Sequence, residues 1–544
     1  MNIALAQLNF HIGNFDQNIS KIISHIKEAE NAGADLVVFP ELAVSGYPPR
    51  DFLGFDDFID KCEKGMEEIA KHCQNIAVII GGPERNPNSK GKRLYNSAWF
   101  LHNGTVQQTS RKTLLPTYDI FDEYRYFEPN QEFSTVEYQG KKLAITVCED
   151  LWGIGDNPVY AVNPMDELIK SNPDIIINIA ASPFDHEQAK SRLNVLQTNA
   201  KKYNLPIVYV NHTGAQTEII FDGGSCVLNK KGQSIKQLPF FRESLDYFDT
   251  NKDTTARDPQ DLLPGKTESI YNALVLGVRN YFEKLGFKKA ILGLSGGIDS
   301  AVTLAIAVDA LGAKNVTSLI MPSDFSSDHS ISDSEEICQY LNSPYEIIPI
   351  KDIYKAYTHT LEPYFKGLPF NVAEENIQAR ARAVLLMAFS NKFGNILLNT
   401  SNKSEAAVGY GTLYGDMCGG LSVIGDVYKT EAYELARYIN RDKEIIPQNI
   451  IDKPPSAELR PDQKDSDSLP DYAILDKILY NYIELQKDPE EIIKAGFEKE
   501  TVQKTLRLVN INEHKRYQAP PVLRVSPKAF GMGRRMPIVA KYLA

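Results

Sequence analysis

The sequence predicts an α/β protein with an α/β sandwich in its first half and a parallel sheet covered by helices in its second half. In the first half, apolar runs typical of buried strands outnumber amphipathic helices. In the second half, short apolar runs alternate with helical patterns, and this alternation is typical of βαβ units with parallel strands. A length of 544 residues agrees with more than one domain.

The first half starts with a strand pattern at 3–8, which an amphipathic helix follows. Apolar residues at positions 19, 22, 23, 26 and 29 lie on one face of that helix, and the pattern ends near Gly33. Further apolar runs predict buried strands at 36–40, 76–80, 95–101, 143–147, 175–179 and 207–210.

In the second half a helical pattern at 271–285 precedes a strand near 291–294. Strands at 316–321, 345–350 and 395–399 then alternate with helices at 332–341 and 374–393. Ligands of such sheets bind outside the carboxyl ends of the strands. Between the halves, residues 240–264 are rich in Asp, Thr and Arg and lack apolar periodicity, which is typical of a linker. The predicted limits are 1–248 for the first domain, 249–266 for the linker and 267–544 for the second domain.

The bulk composition excludes several classes of protein. Lys and Arg number 59 against 70 Asp and Glu, and a net charge of −11 argues against a nucleic-acid partner. The six cysteines are scattered without a Cys-x-x-Cys pair, which predicts neither a zinc site nor a disulfide framework. His72, His186 and His212 lack metal-ligand spacing and are interpreted as structural. The chain starts directly in a strand pattern and carries no long apolar run, so we expect a cytoplasmic protein without membrane contact.

The loop at 290–301 reads Ala-Ile-Leu-Gly-Leu-Ser-Gly-Gly-Ile-Asp-Ser-Ala. A strand, a glycine-rich turn and a helix N-terminus together make an anion site, because free N–H groups and the positive end of the helix dipole meet there. Gly296 and Gly297 let the backbone approach a phosphate closely. Asp299 would repel a bare phosphate, which indicates a Mg²⁺ ion between the two. The Gly-Lys-Ser/Thr of a Walker loop is absent.

This loop resembles the Ser-Gly-Gly-x-Asp-Ser loop of the ATP pyrophosphatases. Those enzymes adenylate a carbonyl oxygen, release pyrophosphate and let an amine displace AMP. The resemblance implies a Rossmann-like parallel sheet for the second domain, with ATP bound by Leu294, Ser295, Gly296, Gly297, Ile298, Asp299 and Ser300.

Three residues at the ends of predicted strands form a complete set for acyl transfer. Glu41 follows Val-Val-Phe-Pro, Lys112 lies in Ser-Arg-Lys-Thr-Leu-Leu-Pro, and Cys148 follows Ala-Ile-Thr-Val. A carboxylate can take the thiol proton, the thiolate can attack a carbonyl, and an ammonium can stabilise the oxyanion. A free thiol has a pKa of about 8.5, so a base and a cation would both help to activate it.

The sequences around these residues resemble the nitrilase superfamily, in Phe-Pro-Glu, Arg-Lys-x-x-Leu and Cys-Glu-Asp. The resemblance implies an α-β-β-α sandwich, with Cys148 as nucleophile, Glu41 as general base and Lys112 as oxyanion stabiliser. The second glutamate of nitrilase sites corresponds to Glu123 or to Glu149, and Glu149 could instead face solvent.

Longer stretches at 41–51, 122–127 and 180–184 resemble the glutaminase domain of glutamine-dependent NAD⁺ synthetases. The resemblance implies that Tyr118 and Ser182 contact glutamine. The family often carries a Lys six residues after that Ser, and Gln188 stands there in this chain, with Lys190 nearby.

In the second half, 398–405, 409–416, 427–431, 454–459 and 512–516 resemble the NAD synthetase domain, so the resemblance covers nearly the whole chain. It implies that Glu405 holds Mg²⁺ together with Asp299. From its composition, the polar, acidic segment that follows 454–459 and ends at Asp471 is interpreted as a mobile lid. Glu375 and Arg380 are equal alternatives to Asn376. The other implied contacts are Thr400 and Lys429 to ATP, Ser456 to the nucleotide, and Asn376, Glu405, Asp416, His514 and Lys515 to deamido-NAD⁺ or its phosphates.

The resemblance therefore implies a homo-oligomeric ligase that hydrolyses glutamine and uses ATP to amidate deamido-NAD⁺. Three alternatives stay open from the residues alone. The acceptor could differ, as in GMP or asparagine synthetases. The chain could be a nitrilase-type amidase whose second half only binds a nucleotide, or a nucleotide-sensing module without catalysis.

Overall fold

A computed structural model describes residues 1–88, 90–154, 160–252, 255–461 and 463–543. The chain divides into two compact units, Met1–Pro264 and Gly265–Ala544. The domain limits 1–248, 249–266 and 267–544 stay predictions. Residues 253 and 254 of the predicted linker and residue 462 of the predicted lid lie outside the described residues.

The first unit contains two six-stranded sheets, each with parallel central strands and antiparallel edge strands. Their strand orders are β14-β1-β2-β3-β4-β5 and β13-β12-β9-β8-β7-β6, and β10 and β11 form a separate hairpin. The elements are β1 Asn2–Gln7, α1 Phe15–Asn31, β2 Leu36–Val38, α2 Asp56–Lys71, β3 Ala77–Arg85, β4 Leu94–His102, β5 Thr105–Arg111, β6 Val136–Tyr138, β7 Lys141–Val147, α3 Pro164–Leu168, β8 Ile175–Ala180, α4 Gln188–Tyr203, β9 Ile207–Asn211, β10 Thr213–Gln216, β11 Ile219–Asp222, β12 Cys226–Leu228, β13 Ser234–Gln237 and β14 Ser244–Asp249.

Alternation along the strands builds four layers. Ile3 of β1 belongs to a core cluster with apolar residues of both sheets, whereas its neighbour Ala4 packs with Ile22 of α1 in a second cluster. Successive side chains of a strand point to opposite faces, so one sheet face meets the other sheet and the opposite face meets the helices. Leu193 of α4 covers the second sheet in the same way. This arrangement confirms the predicted α-β-β-α sandwich.

The second unit contains a five-stranded, all-parallel sheet of order β17-β16-β15-β18-β19, which confirms the predicted parallel sheet. Ile291 of β15 packs against Leu386 of α9, and α6 lies against β15 and β16. The elements are α5 Lys266–Leu285, β15 Ala290–Gly293, α6 Ile298–Leu311, β16 Val316–Ile320, α7 Asp328–Leu341, β17 Tyr345–Ile347, α8 Lys351–Phe365, α9 Val372–Phe393, β18 Ile396–Asn399, α10 Lys403–Val408, β19 Leu421–Ser422, α11 Lys429–Ile439, α12 Gln448–Asp452, α13 Tyr472–Ile483, α14 Pro489–Lys494, α15 Lys499–Ile511 and α16 Glu513–Arg516.

Every strand and helix predicted from the sequence is present, with ends that differ by a few residues. The predictions omitted β5, β6, β10 to β14, β19 and several helices, among them α2, α4, α8 and α13 to α15. Within the described residues no helix combines the length and apolar character needed to cross a membrane.

Candidate active sites

In the first unit, three strand ends bring the predicted acyl-transfer residues together. Glu41 follows the end of β2 by three residues, Lys112 directly follows β5, and Cys148 directly follows β7. The Nζ atom of Lys112 lies 2.8 Å from Oε1 of Glu41, and both side chains are fully buried. A carboxylate that follows an inner strand and an ammonium that follows the edge strand β5 therefore meet in a fully buried pair.

Three donors fix the carboxylate of Glu41. Besides Lys112, the side-chain amide of Asn96 donates to Oε1 at 2.7 Å, and the backbone N–H of Ala181 donates to Oε2 at 2.9 Å. The ring of His212 lies 2.7 Å from the carbonyl oxygen of Glu41 through Nε2, and packs between aromatic rings. The three bonds to Oε1 and Oε2 restrict the orientation of the carboxylate that is predicted to act as the base, and the contact with His212 holds the backbone of Glu41.

A second glutamate, Glu123, also contacts Lys112. Its oxygens lie 2.9 and 2.8 Å from Nζ, and Tyr47 donates to Oε1 at 2.9 Å. Burial alone would lower the pKa of Lys112, but Glu123 and Glu41 outweigh burial, and the pKa is raised well above its usual value. Burial raises the pKa of Glu123 to about 7, opposed by Lys112. The ammonium is thus permanently charged, and Glu123 can hold or release a proton near neutral pH.

Glu149 is buried, so the interpretation that it faces solvent is wrong. Its Oε1 atom accepts hydrogen bonds from the hydroxyls of Tyr118 and Tyr160, both at 2.9 Å. Burial raises the pKa of Glu149. Glu149 directly follows Cys148, so its hydrogen bond holds Tyr118, a predicted glutamine contact, close to the predicted nucleophile.

Cys148 begins a short 3-10 turn, Cys148–Leu151, and has a φ of +44°. This left-handed conformation is strained for a residue with a side chain, and such strain clusters at functional sites. Burial raises the pKa of the thiol well above its usual value, with a further contribution from Glu41, while Lys112 opposes the shift. The resting thiol is therefore protonated, and attack on a carbonyl requires a base.

The other predicted glutamine contacts differ in their position. Ser182 directly follows Ala181, is buried, and donates its N–H to Asn211 at 2.8 Å. Its hydroxyl lies 3.4 Å from Arg192, which forms an ion pair with Asp222. Gln188 begins α4, and its N–H bonds to the carbonyl of Asp185 at 3.1 Å. Within the part of the chain that the structure describes, no hydrogen bond links Gln188 to the catalytic side chains.

In the second unit, the predicted anion loop joins β15 to α6. Gly296 has a φ of +74°, and a Cβ atom there would lie 2.4 Å from the carbonyl oxygen of Ser330, so only glycine fits. The hydroxyl of Ser295 accepts from the N–H of Gly297 at 3.2 Å, and the hydroxyl of Ser300 accepts from the N–H of Ser295 at 3.3 Å. Two hydroxyls thus shape the loop, and the first turn of α6 presents N–H groups suited to a phosphate.

Two carboxylates and one ammonium meet beside this loop. Lys429 forms an ion pair with Asp299, and its Nζ atom lies 3.4 Å from Oε1 of Glu405. The side-chain amide of Asn402 donates to Asp299 at 3.0 Å. Burial raises the pKa of Glu405 to about 8, with a further contribution from Asp299, while Lys429 opposes it. Near neutral pH Glu405 is therefore mostly protonated, and a divalent cation bound beside Asp299 would favour its ionised form, so the two groups could hold such a cation.

A cavity of about 280 Å³ lies at this edge of the sheet. Asn376, His514 and Lys515 are absent from its lining within the described part of the chain. Asn376 instead accepts from Thr412 at 2.6 Å, while His514 is exposed. Lys515 donates to the carbonyls of Gly409 and Gly411 at 2.7 and 2.8 Å. The predicted residues that do line the cavity are Leu294 to Ser300, Thr400, Glu405, Asp416, Lys429 and Ser456.

Four further charged residues outside the predicted set line this cavity: Arg382, Lys453, Glu458 and Asp465. Burial lowers the pKa of Arg382 to about 10, although Glu458 and Asp416 oppose the shift. Glu458 accepts from Ser330 at 2.7 Å and from Ser327 at 3.0 Å. Arg382 ends the Glu-Glu-Asn-Ile-Gln-Ala-Arg-Ala-Arg stretch that carries Asn376, so its position in that stretch was the available signal.

Two family models match the chain, one within each unit. A family model described as carbon-nitrogen hydrolase matches residues 2–260, and one described as NAD synthase matches residues 270–519. The chain is 46% identical to a glutamine-dependent NAD(+) synthetase of Synechocystis sp. over 99% of both chains. It is 44% identical to one of Acinetobacter baylyi over 99% of this chain and 98% of the relative.

A solved structure extends this likeness to the fold of the whole chain. The glutamine-dependent NAD+ synthetase of Acinetobacter baumannii in complex with adenosine diphosphate matches with a TM-score of 0.78 and 39% identity over 99% of both chains. The identities and the coverage lead to one conclusion: the chain belongs to the family of glutamine-dependent NAD(+) synthetases.

Proposed function

We propose that this chain synthesises NAD⁺ from deamido-NAD⁺, with ATP as the activating substrate and glutamine as the nitrogen donor. One observation carries the proposal: each unit holds a complete set of residues for one half of the reaction. The buried Cys148, Glu41 and Lys112 suit amide hydrolysis, and the cavity beside the 294–300 loop suits adenylation.

At the first site, Glu41 takes the proton of the Cys148 thiol while the sulfur attacks the amide carbon of glutamine. The negative charge that develops on the carbonyl oxygen is stabilised by the ammonium of Lys112. Glu41 returns the proton to the leaving nitrogen, ammonia departs, and a thioester remains. Water then adds to the thioester, glutamate leaves, and the thiol regains its proton. Glu123, with a pKa of about 7, is placed to share in proton transfer through its contacts with Lys112 and Tyr47.

Tyr118, Ser182 and Gln188 are the proposed glutamine contacts. Tyr118 is supported by its hydrogen bond to Glu149, the residue after Cys148. Ser182 is supported by its place directly after Ala181, whose N–H holds Glu41. Gln188 is neutral where relatives of the resembled family often carry Lys. We therefore expect the α-carboxylate of glutamine to gain less from this position than a lysine would supply.

At the second site, a carboxylate oxygen of deamido-NAD⁺ attacks the α-phosphorus of ATP, and pyrophosphate leaves. Ammonia then attacks the activated carbonyl carbon, AMP departs, and the amide of NAD⁺ results. The proposed ATP contacts are Leu294 to Ser300, Thr400 and Lys429, all of which line the cavity. N–H groups at the start of α6 and the ammonium of Lys429 oppose the charge of the phosphates.

Asp299 and Glu405 are the proposed ligands of Mg²⁺. Their carboxylates are hard oxygen donors, and Mg²⁺ binds through one or two carboxylates together with substrate phosphates, so the donor set fits. The proximity of Lys429 to both carboxylates supports the view that positive charge is favoured between them. When bound, Mg²⁺ would neutralise negative charge on the pyrophosphate leaving group.

For deamido-NAD⁺ we propose contacts from Asn376, Glu405, Asp416, His514 and Lys515. Glu405 and Asp416 line the cavity, which supports these two directly. Lys515 uses two of its three donors on carbonyls of the glycine-rich loop, which leaves one donor for a ligand.

We also propose that the enzyme is a cytoplasmic homo-oligomer. The six cysteines are free thiols, which is typical of a reducing compartment. Large apolar side chains are exposed on and between α8 and α9, and a second copy of the chain is the proposed partner of this face. They are Tyr364, Leu368, Phe370 and Val372. Light scattering should give a multiple of 61.0 kDa, and the mass of a single chain would contradict the proposal.

The decisive experiment is product analysis with ATP, Mg²⁺ and deamido-NAD⁺, and with either glutamine or ammonium. We expect NAD⁺ and AMP from both donors. Xanthosine monophosphate and aspartate serve as alternative acceptors, and AMP release with either of them instead of deamido-NAD⁺ would favour a different synthetase. Glutamate release without any AMP would favour a plain amidase.

A further inference from the structure

One buried carboxylate joins the backbones of the two predicted catalytic strand ends. Asp150 lies two residues after Cys148, in the same 3-10 turn, and is 2% exposed. Its Oδ1 atom accepts hydrogen bonds from the N–H groups of Thr113 and Leu114, both at 2.9 Å. Its Oδ2 atom accepts from the N–H of Val147 at 3.0 Å. The donors are the two residues after Lys112 and the residue before Cys148.

We infer that Asp150 is a positioning residue for the reaction at Cys148, because its carboxylate fixes the thiol and the ammonium of Lys112 in one arrangement. The inference rests on the roles proposed above for Cys148 and Lys112. Asp150 does not act on the substrate; it acts through the two backbones that it holds.

A carboxylate suits position 150 because it can accept hydrogen bonds from all three backbone N–H groups. Hydrogen bonds to an ionised acceptor are shorter and stronger than those between neutral groups. The side-chain amide of an asparagine has one accepting oxygen, and its NH₂ group would face an N–H of Val147 or of Thr113. Burial raises the pKa of Asp150 to about 6, and the N–H bonds from Leu114 and Val147 oppose the shift. The group is therefore mostly ionised at pH 7 to 8, and all three bonds are available.

The strained backbone of Cys148 gives this anchor its importance. A residue with a φ of +44° keeps that conformation only where its surroundings hold it. Val147, which Asp150 binds, directly precedes the strained residue. On the other strand end, the bonds to Thr113 and Leu114 fix the chain as it leaves Lys112. A shift of either end by about 1 Å is expected to cost about 100-fold in rate.

Asp150 also lines a second cavity, which offers a way to test the inference. This cavity has a volume of about 200 Å³, and its wall includes Thr113, Asn130 and Thr146. Lys112 and Cys148 are not part of that wall in the described portion of the chain. If the side chain of Asp150 is removed, a small carboxylate such as formate can therefore occupy the vacated space without entering the catalytic set.

The test compares Asp150→Ala and Asp150→Asn with the wild type in the full chain. We expect kcat for glutamine hydrolysis to fall about 100-fold in Asp150→Ala, with KM for glutamine and ammonium-dependent NAD⁺ synthesis changed by less than about threefold. Added formate should restore activity at least about tenfold in Asp150→Ala, and should have no effect on Asp150→Asn, where the space is filled. The control is Asp174→Ala, because Asp174 also accepts a backbone N–H, from Lys142 at 2.7 Å, but is exposed and lies outside the catalytic set.

A second readout follows the thiol itself. Alkylation of Cys148 by iodoacetamide, measured on its peptide by mass spectrometry, should slow at least about fivefold in both variants, because the thiol loses the fixed ammonium that favours its ionised form. This arm needs no turnover, so it tests Asp150 even if the wild type hydrolyses a different amide. A wild type without glutamine hydrolysis would instead refute the proposed function.

Three results would overturn the inference: a loss of kcat below about threefold in both variants, a loss confined to KM, or a folded Asp150→Ala variant that formate does not restore. If Asp150→Ala does not fold, Asp150→Asn decides. It keeps the volume of the side chain, and wild-type rates of alkylation and hydrolysis in this variant would also overturn the inference.

Discussion

The ammonium of Lys112 lies 2.8 Å from Oε1 of Glu41, 71 residues away in the chain, and water reaches neither side chain. Charges in such surroundings interact far more strongly than on a surface, since no solvent screens them. The pair is also shared, because Glu123 binds the same ammonium. Removal of one partner therefore changes the charge balance of the whole catalytic set.

Replacement of Glu41 by Gln should remove the base and keep its shape. We expect glutamine-dependent NAD⁺ synthesis to fall by about 100- to 1,000-fold, because the protonated thiol has lost its proton acceptor. Ammonium-dependent synthesis should persist, and glutamate release and NAD⁺ formation measure the two. Glu68→Gln is the control, since Glu68 forms surface pairs with Lys71 and His72, away from the catalytic set. Full glutamine turnover in Glu41→Gln would remove Glu41 from the mechanism.

Replacement of Cys148 by Ala should abolish glutamine use, because no thioester can form. The expected fall in glutamate release is about 1,000-fold or more, and synthesis from ammonium should stay close to the wild-type rate. Cys73→Ala is the matched control, a buried free thiol elsewhere in the same unit. Equal loss with both nitrogen donors would contradict two separate sites.

Replacement of Asp299 by Asn should damage the other half of the reaction. The variant loses a charge that pairs with Lys429 and that is proposed to bind Mg²⁺. Synthesis from either donor should fall about 100-fold, while glutamine hydrolysis continues. Asp309→Asn is the control, because Asp309 lies in the same helix and bonds to the hydroxyl of Tyr271. Intact synthesis in Asp299→Asn would leave the second unit without a catalytic role.

Substitution of two glycines with a similar positive φ distinguishes the cost of backbone strain from the cost of a steric clash with a neighbouring residue. Gly286 has a φ of +77° with open space around it, whereas Gly296 has a φ of +74° and the carbonyl of Ser330 where a Cβ atom would lie. Gly286→Ala should cost about 1 kcal/mol of unfolding free energy. Gly296→Ala should cost a further 1 to 3 kcal/mol, roughly, and impair ammonium-dependent synthesis. Denaturation by urea measures the difference, and equal costs would show that the loop can yield.

The thiol of Cys148 should ionise only at high pH. Burial and Glu41 raise the pKa of this thiol well above its usual value, so the thiolate fraction of the free enzyme should keep growing through the alkaline range. The rate of alkylation by iodoacetamide should therefore rise continuously from pH 7 to beyond pH 9. Glu41→Gln removes a negative charge and should increase the rate at each pH. A plateau below pH 8 would contradict the raised pKa.

The fold was predictable where the pattern of side chains is local. Alternation in β1, where Ile3 and Ala4 face different layers, and the apolar stripe of α1 are both visible in sequence. Helix α2 carries a comparable stripe, with Phe58, Cys62 and Met66 buried, and was overlooked. Short strands such as β10 and β11 have too few residues to show a period, so only tertiary contacts define them.

The members of the sites were predictable by type, but their partners were not. Glu41, Lys112 and Cys148 stand out as a base, a cation and a nucleophile after strands. That Asn96 and the N–H of Ala181 hold Glu41 depends on how distant strands align, and sequence spacing does not encode that alignment.

The backbone conformation of Cys148 lowers the stability of the fold, whereas its thiol is needed for the proposed hydrolysis of glutamine. At a φ of +44°, a glycine would relieve about 1 to 2 kcal/mol of strain, so the residue that catalyses is not the one that the fold prefers. Selection for stability alone would favour glycine at position 148. Selection for the use of glutamine as nitrogen source favours cysteine there. In a lineage with abundant ammonia, we expect Cys148 to be replaced early, and replacement by glycine should increase the stability of the protein.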